Sequence, residues 1–289
     1  MTTFLGLEGE LSTLAGARVV LLPVPYDATT SFHDGARHAP EAILVASHHI
    51  EEYDEELERE ILQCGIHVAA PVAPGDDPPE AVVARIAERC TALLEAGKTV
   101  ITLGGDHTVA VGAGRAHAAR FGPLSVLQID AHADLRAAYD DSPYSHACAM
   151  RRLGEAPGVD TIIGVGIRAI SAPEVAFLRE RDRPVFYAQD LARRRSEAWI
   201  EEVVAALGPT VYVSVDVDGL DPSLMAATGT PEPGGLDWWT TLRLLRRVAE
   251  ARRVVGADLC ELRPTPGLHA CDVTAARLVY KMIGYFLGE

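Results

Sequence analysis

Short clusters of acids and histidines stand at the ends of apolar runs in this sequence of 289 residues. Asp130, His132 and Asp134 follow residues 124–129 (LSVLQI), and Asp216 and Asp218 follow residues 210–215 (TVYVSV). His107 closes the segment Gly104-Gly105-Asp106-His107 after residues 98–103 (KTVITL). Asp258 and Glu261 follow residues 253–257. Alternate residues of an extended chain share a face, so Asp130, His132 and Asp134 are expected to point one way, as are Asp216 and Asp218. Buried ions need partners or metal, and few arginines are placed to pair with these acids. Two divalent cations would balance the carboxylates of Asp130, Asp134, Asp216 and Asp218. The neutral imidazoles of His107 and His132 would complete an oxygen-rich set. That mixture suits manganese better than thiolate-seeking metals, with nickel, cobalt, iron and zinc left open.

Each residue alone has a structural reading. Asp216 and Asp218 would serve as turn or cap residues, Asp221-Pro222 as a turn, and His107 as a histidine at a helix start. Their joint occurrence at several strand ends favours a site, because open parallel sheets bind ligands beyond the carboxyl ends of their strands. Other motifs are absent: Gly164-Val165-Gly166 does not extend to G-x-G-x-x-G, and no P-loop, G-x-S-x-G or H-E-x-x-H pattern occurs.

The elements that must position these residues read as an alternation. Strands are expected at 18–25, 98–103, 124–129, 161–167, 184–187, 210–215 and 253–257. Their near-continuous apolar character is that of strands covered on both faces. Helices are expected at 79–96, 107–120, 174–181, 196–207, 237–252 and 272–287. This order predicts a doubly wound or three-layer α/β fold. Residues 71–80 (PVAPGDDPPE) read as a surface loop, and no repeat or linker divides the chain, so residues 1–289 are read as one domain.

Composition narrows the function classes. Lys and Arg total 26 against 41 Asp and Glu, a formal charge of −15. That balance argues against a nucleic-acid backbone as partner. The basic clusters at 193–195, 151–152 and 246–247 read as solvated helix faces. The five cysteines are odd in number and widely spaced, unlike a disulfide framework or a zinc ribbon. No secretory leader and no membrane-length apolar run is apparent, so a soluble, cytoplasmic chain is expected.

The motifs GGDHT (104–108), DAHAD (130–134) and SVDVDGLDPS (214–223) together resemble the ureohydrolase family of arginases and agmatinases. SFHDGARHAPEAI (31–43), SHACAM (145–150), GIR (166–168), TGTPEPGGL (228–236) and GADLCEL (256–262) extend the resemblance over essentially the whole chain. The resemblance implies a three-layer α/β/α domain with a mostly parallel eight-stranded sheet, assembled as a homotrimer or homohexamer. It implies two Mn2+ per subunit, one on His107, Asp130, Asp134 and Asp216, the other on Asp130, His132, Asp216 and Asp218. A guanidino carbon is a poor electrophile, and metal-acidified water is the nucleophile such a site provides. Asp134 is then expected to accept the proton of that water, His146 to act as general acid, and Glu261 to pair with a small cationic guanidino substrate. A histidine's ordinary pKa suits that proton transfer. Without the resemblance, His146 reads as a surface-loop histidine and Glu261 as a strand-end acid.

Substrate choice turns on departures from the arginase pattern. Arg136 stands where arginases carry an Asn that binds the substrate carboxylate, and Tyr144-Ser145 replaces a Ser-rich stretch before His146. Both favour agmatine, with urea and putrescine as products. Arg136 is expected to turn away toward Asp140, Asp141 or a subunit interface. His33-Asp34 stands where many agmatinases have Arg-Pro, which keeps aminopropylagmatine, guanidinobutyrate and arginine as alternatives. Formiminoglutamate hydrolases share the Leu135-Arg136 pair but usually lack the shuttle histidine. A one-metal deacetylase and a non-catalytic member of the fold are the readings from other classes; the full set of ligand types argues against both.

Overall fold

In the computed structural model, which describes residues 2–75, 77–181 and 183–287, strands and helices alternate through most of the chain. Strand β1 (Val19–Val24) leads through helix α1 (Ala39–Ser47) to a small antiparallel hairpin, β2 (Tyr53–Asp54) and β3 (Arg59–Glu60), and to β4 (Ile66–Val68). Helix α2 (Pro79–Glu95), β5 (Thr99–Gly104), α3 (Val109–Phe121), β6 (Leu124–Ile129), α4 (Ala149–Gly154) and β7 (Val159–Ile167) follow. Then come α5 (Ala172–Arg181), β8 (Val185–Tyr187), α6 (Ala188–Arg193), α7 (Trp199–Ala206), β9 (Thr210–Asp216), α8 (Trp238–Ala251), β10 (Arg253–Cys260) and α9 (His269–Phe286).

The helix ends follow local chemistry. Pro79 opens α2, where a missing N–H is harmless, and Gly97 takes a left-handed φ of +75° just beyond its end. Asp237 caps α8 by accepting the Thr240 N–H at 2.9 Å. Helix α3 starts at Val109 rather than at His107. The Asp106 N–H is held 2.7 Å from Tyr26 O, which keeps Asp106-His107 in the loop. Residues 71–75 and 77–78 form the expected loop; Asp76 lies outside the described residues.

Eight strands form one sheet in the order β4-β1-β5-β10-β9-β6-β7-β8. Every pairing in it is parallel, so the expected sheet is fully rather than mostly parallel. Residues of β1 alternate between two cores. Val19 and Leu21 belong to the core that also takes in residues of α1, α7, α8 and α9; Val20, Leu22 and Val24 belong to the core that takes in residues of α2, α3 and α4. Burial on both faces explains the continuous apolar runs, at roughly 1.5–3 kcal/mol per large side chain removed from water. The short edge strand β4 and helices α1, α4 and α6 carried too little periodicity to be read from sequence. No helix among the described residues is long and apolar enough to cross a membrane.

The parallel order has one consequence for function. Strands β5, β10, β9 and β6 are consecutive in the sheet, so their carboxyl ends bring Gly104, Cys260, Asp216 and Ile129 to one edge.

Candidate metal centre and active site

At that edge the acidic and histidine clusters meet. His107 Nδ1 lies 2.9 Å from Asp134 Oδ2, 3.2 Å from Asp130 Oδ2 and 3.5 Å from Asp216 Oδ2. His132 Nδ1 lies 2.9 Å from Asp218 Oδ2 and 3.8 Å from Asp130 Oδ1. Two groups therefore offer convergent donor atoms, His107–Asp130–Asp216 and Asp130–His132–Asp218. Asp130 belongs to both, one oxygen toward each imidazole.

The route to this convergence differs from a simple extended face. Strand β6 ends at Ile129, and Asp134 has a left-handed φ of +52° that turns its carboxylate back toward His107. A non-glycine residue held there stores roughly 1–3 kcal/mol of strain, and such strain clusters at functional sites. Asp218 lies not on β9 but in a 3-10 turn (Val217–Gly219), whose Asp218 N–H donates to Asp216 Oδ1 at 2.9 Å. Gly219 permits that turn, because a Cβ there would sit 2.7 Å from Asp130 N.

The electrostatics fit divalent cations. Asp130, Asp134, Asp216 and Asp218 are buried, and among the described residues no lysine or arginine ion pair reaches them. Burial and the charges of Asp134 and Asp218 push Asp130 up to about 7. Burial and the neighbouring carboxylates raise Asp216 as well. Against the effect of burial, the Asp218 carboxylate pushes the His132 imidazole up to about 10. Imidazoles holding protons among crowded carboxylates are the expected state of a site whose charge is otherwise balanced by metal.

Behind the donors stands a layer to which sequence reasoning assigned no role. Ser214 Oγ lies 2.9 Å from His107 Nε2 and donates to Asp258 Oδ1 at 2.9 Å, fixing the ring. Ser214 precedes Asp216 by two residues on β9 and pairs in register with Asp258 on β10. Both relations follow from strand periodicity once the pairing is known. Gln128 Nε2 donates to Asp130 Oδ2 at 2.8 Å. Asp106 accepts the N–H and hydroxyl of Thr29 at 3.0 and 2.8 Å. Its place beside His107 was the one available signal. The Arg168 guanidinium binds the carbonyls of Asp218 and Glu232 at 2.6 and 2.8 Å, joining the Val217–Gly219 turn to the segment that follows it.

His146 and Glu261 complete the arrangement. His146 Nδ1 lies 3.0 Å from Glu261 Oε1, its Nε2 lies 3.1 Å from Ser31 Oγ, and its N–H donates to Thr29. Burial works against the imidazolium, but the Glu261 hydrogen bond and charge push His146 up to about 9. Glu261, at a φ of +66°, is buried and does not line the cavity.

A cavity of about 300 Å³ opens over the cluster. His132, Asp134, Asp216 and His146 line it beside Ser31, Arg136, Tyr139, Thr230 and Glu232. Arg136 therefore does not turn away as expected. Its N–H donates to Ala147 O, which sets it beside the His146 loop. Its guanidinium lies 4.9 Å over the Tyr139 ring, with no ion pair to Asp140 or Asp141 among the described residues. His33 and Asp34 do not line the cavity; their loop contributes Ser31 instead.

Known proteins resemble this chain over nearly its whole length. Residues 17–284 match the family model described as Arginase family. The N(1)-aminopropylagmatine ureohydrolase of Thermus thermophilus is 43% identical over 93% of this chain and 90% of its own length. The protein of that name from Synechocystis sp. is 40% identical over 97% and 93%. The crystal structure of the agmatine ureohydrolase of Thermoplasma volcanium superposes with a TM-score of 0.88 at 30% identity, covering 99% of this chain and 94% of that one.

Proposed function

The chain belongs to the arginase family and is a ureohydrolase, and on that premise we propose that it hydrolyses N1-aminopropylagmatine ahead of agmatine, giving urea and a polyamine. One observation carries the reading: a buried carboxylate–imidazole cluster opens, beside His146, into a cavity that continues to Arg136, Tyr139 and Glu232. Such a cavity has room for an arm beyond the guanidino group. The names of the two aminopropylagmatine relatives support the longer arm over agmatine itself.

The proposed ligands are His107, Asp130, Asp134 and Asp216 for one ion, and Asp130, His132, Asp216 and Asp218 for the other. Manganese is the proposed metal. When bound, the cations would balance the carboxylates and acidify the water that attacks the guanidino carbon.

The remaining roles belong to the chain. Asp134 lies within reach of His107 and faces the cavity, a position suited to taking the water's proton. His146 is held charged by Glu261 and lines the cavity, so it is suited to protonate the departing amine as the C–N bond breaks. Glu261, which does not itself line the cavity, is proposed to align both His146 and the His107 main chain and to draw the guanidinium by its charge alone.

Urea release from the manganese-loaded protein tests the reading. kcat/KM is expected to be highest for aminopropylagmatine, lower for agmatine, and lower still for arginine, whose carboxylate meets Asp134, Asp216 and Glu232 in the cavity with Arg136 as the one Lys or Arg lining it to offset them. Arginine or guanidinobutyrate turned over as well as either amine would reject it.

A further inference from the structure

We infer that Glu232 receives the terminal ammonium of the substrate's amine arm and thereby sets the preference for a polyamine-tailed guanidine; the assignment rests on the guanidino-amine reading above. The acids lining the cavity are Asp134, Glu174, Asp216 and Glu232. Asp134 and Asp216 belong to the carboxylate–imidazole cluster. Glu174 is fully engaged: Oε1 accepts the Leu135 N–H at 2.9 Å, and Oε2 accepts the N–H and hydroxyl of Ser171 at 2.8 and 2.6 Å. Among the described residues, Glu232 alone of the four has a carboxylate that no hydrogen bond or ion pair occupies; the Arg168 guanidinium acts on its charge through space.

Its backbone, by contrast, is fixed. Arg168 donates to Glu232 O from Nε at 3.2 Å and from Nη2 at 2.8 Å, and the same guanidinium holds Asp218 O. Thr230, two residues earlier and also lining the cavity, reaches Asp218 Oδ2 at 3.5 Å. The unpaired carboxylate thus belongs to a residue whose main chain is locked to the Val217–Gly219 turn. A pre-positioned acceptor of this kind binds a cation without reordering the loop.

Arg136 gives the arm a direction. It is the one Lys or Arg side chain lining the cavity, and it pairs with no carboxylate among the described residues. A cationic arm is repelled there and drawn to Glu232. An anionic arm is sorted the other way. Aminopropylagmatine ends in an ammonium beyond the one that agmatine carries, so it has the charge to reach Glu232.

The test uses manganese-loaded protein with aminopropylagmatine, agmatine and 1-guanidinobutane, whose tail is uncharged. In Glu232→Gln, KM for aminopropylagmatine is expected to rise roughly tenfold to a hundredfold, the range of a charge-assisted hydrogen bond. The kcat/KM ratio of aminopropylagmatine to 1-guanidinobutane should fall at least tenfold, and Glu232→Asp should recover part of it. Affinity for spermidine, the triamine left after urea is removed, should fall in parallel by calorimetry. A ratio and a spermidine affinity unchanged from wild type overturn the assignment. If the Gln variant has a lower Tm or less metal, Glu232→Met repeats both measurements, and the same outcomes decide. A wild-type protein that hydrolyses none of the three, or prefers 1-guanidinobutane, defeats the guanidino-amine reading and this assignment with it. A wild type that prefers aminopropylagmatine beside an unaffected Glu232→Gln defeats this assignment alone.

Discussion

The Nδ1 atom of His146 lies 3.0 Å from Glu261 Oε1, and that same oxygen accepts the main-chain N–H of His107 at 2.8 Å. The residue proposed to move a proton and a residue proposed to hold metal therefore share one carboxylate. Movement of Glu261, one residue beyond β10, would disturb both; its N–H bond to Gly105 O at 2.7 Å holds it in place.

Replacement of His146 by Ala is expected to lower kcat by roughly 10²–10⁴-fold, as for other general acid–base groups. Metal content should stay at the wild-type level, because His146 Nδ1 and Nε2 face Glu261 and Ser31. Elemental analysis alongside kinetics checks this. A parallel loss of metal would make His146 a ligand instead.

Asp130→Asn alters the carboxylate common to both donor groups. Both ions should weaken together, and metal-stripped protein should lose activity and regain it with Mn2+. Binding of metal to the folded state alone also raises Tm. Equal Tm values with and without metal, together with full activity after stripping, would rule out the two-metal site.

Ser214→Ala removes the hydroxyl between His107 Nε2 and Asp258. Metal affinity is expected to fall roughly 10–100-fold, the usual effect of losing a group that orients a ligand. A competition titration with a chelating dye measures it. Ser214→Thr, which keeps the hydroxyl, should lose less if orientation is the cause.

His117 supplies a pH test of the core. Its Nδ1–H donates to Ala113 O at 2.8 Å, while Nε2 is buried with no hydrogen-bond partner among the described residues, and burial pushes its pKa from 6.5 down to about 4. Below 6.5 the unfolded chain binds this proton and the folded one does not, so stability falls as pH falls toward about 4. The slope approaches ~1.4 kcal/mol per pH unit within that window. Urea midpoints between pH 4 and 7 should fall less steeply in His117→Leu than in wild type; parallel curves would contradict this account.

Much of this protein is written locally. Apolar runs such as Val19–Val24 and Leu124–Ile129 encode buried parallel strands because both of their faces are covered. The acids and histidines just beyond them mark a site because ions placed at the end of a buried sheet need compensation. Local pattern could not say which strands are neighbours. Placing β10 between β5 and β9 brings Glu261 to His107 and Asp258 to Ser214, across 154 and 44 residues of chain. Nor could it give the backbone turns. Asp134 and Asp218 reach the cluster through a left-handed residue and a 3-10 turn, where continued strand geometry was expected. The direction of Arg136 was likewise a tertiary outcome. Its main chain is bonded to Ala147 and its guanidinium covers Tyr139, so a charge expected to face neighbouring acids lines the cavity instead. Sequence spacing specifies which groups are available; strand order and turn geometry decide which of them meet, because those depend on contacts between residues far apart in the chain.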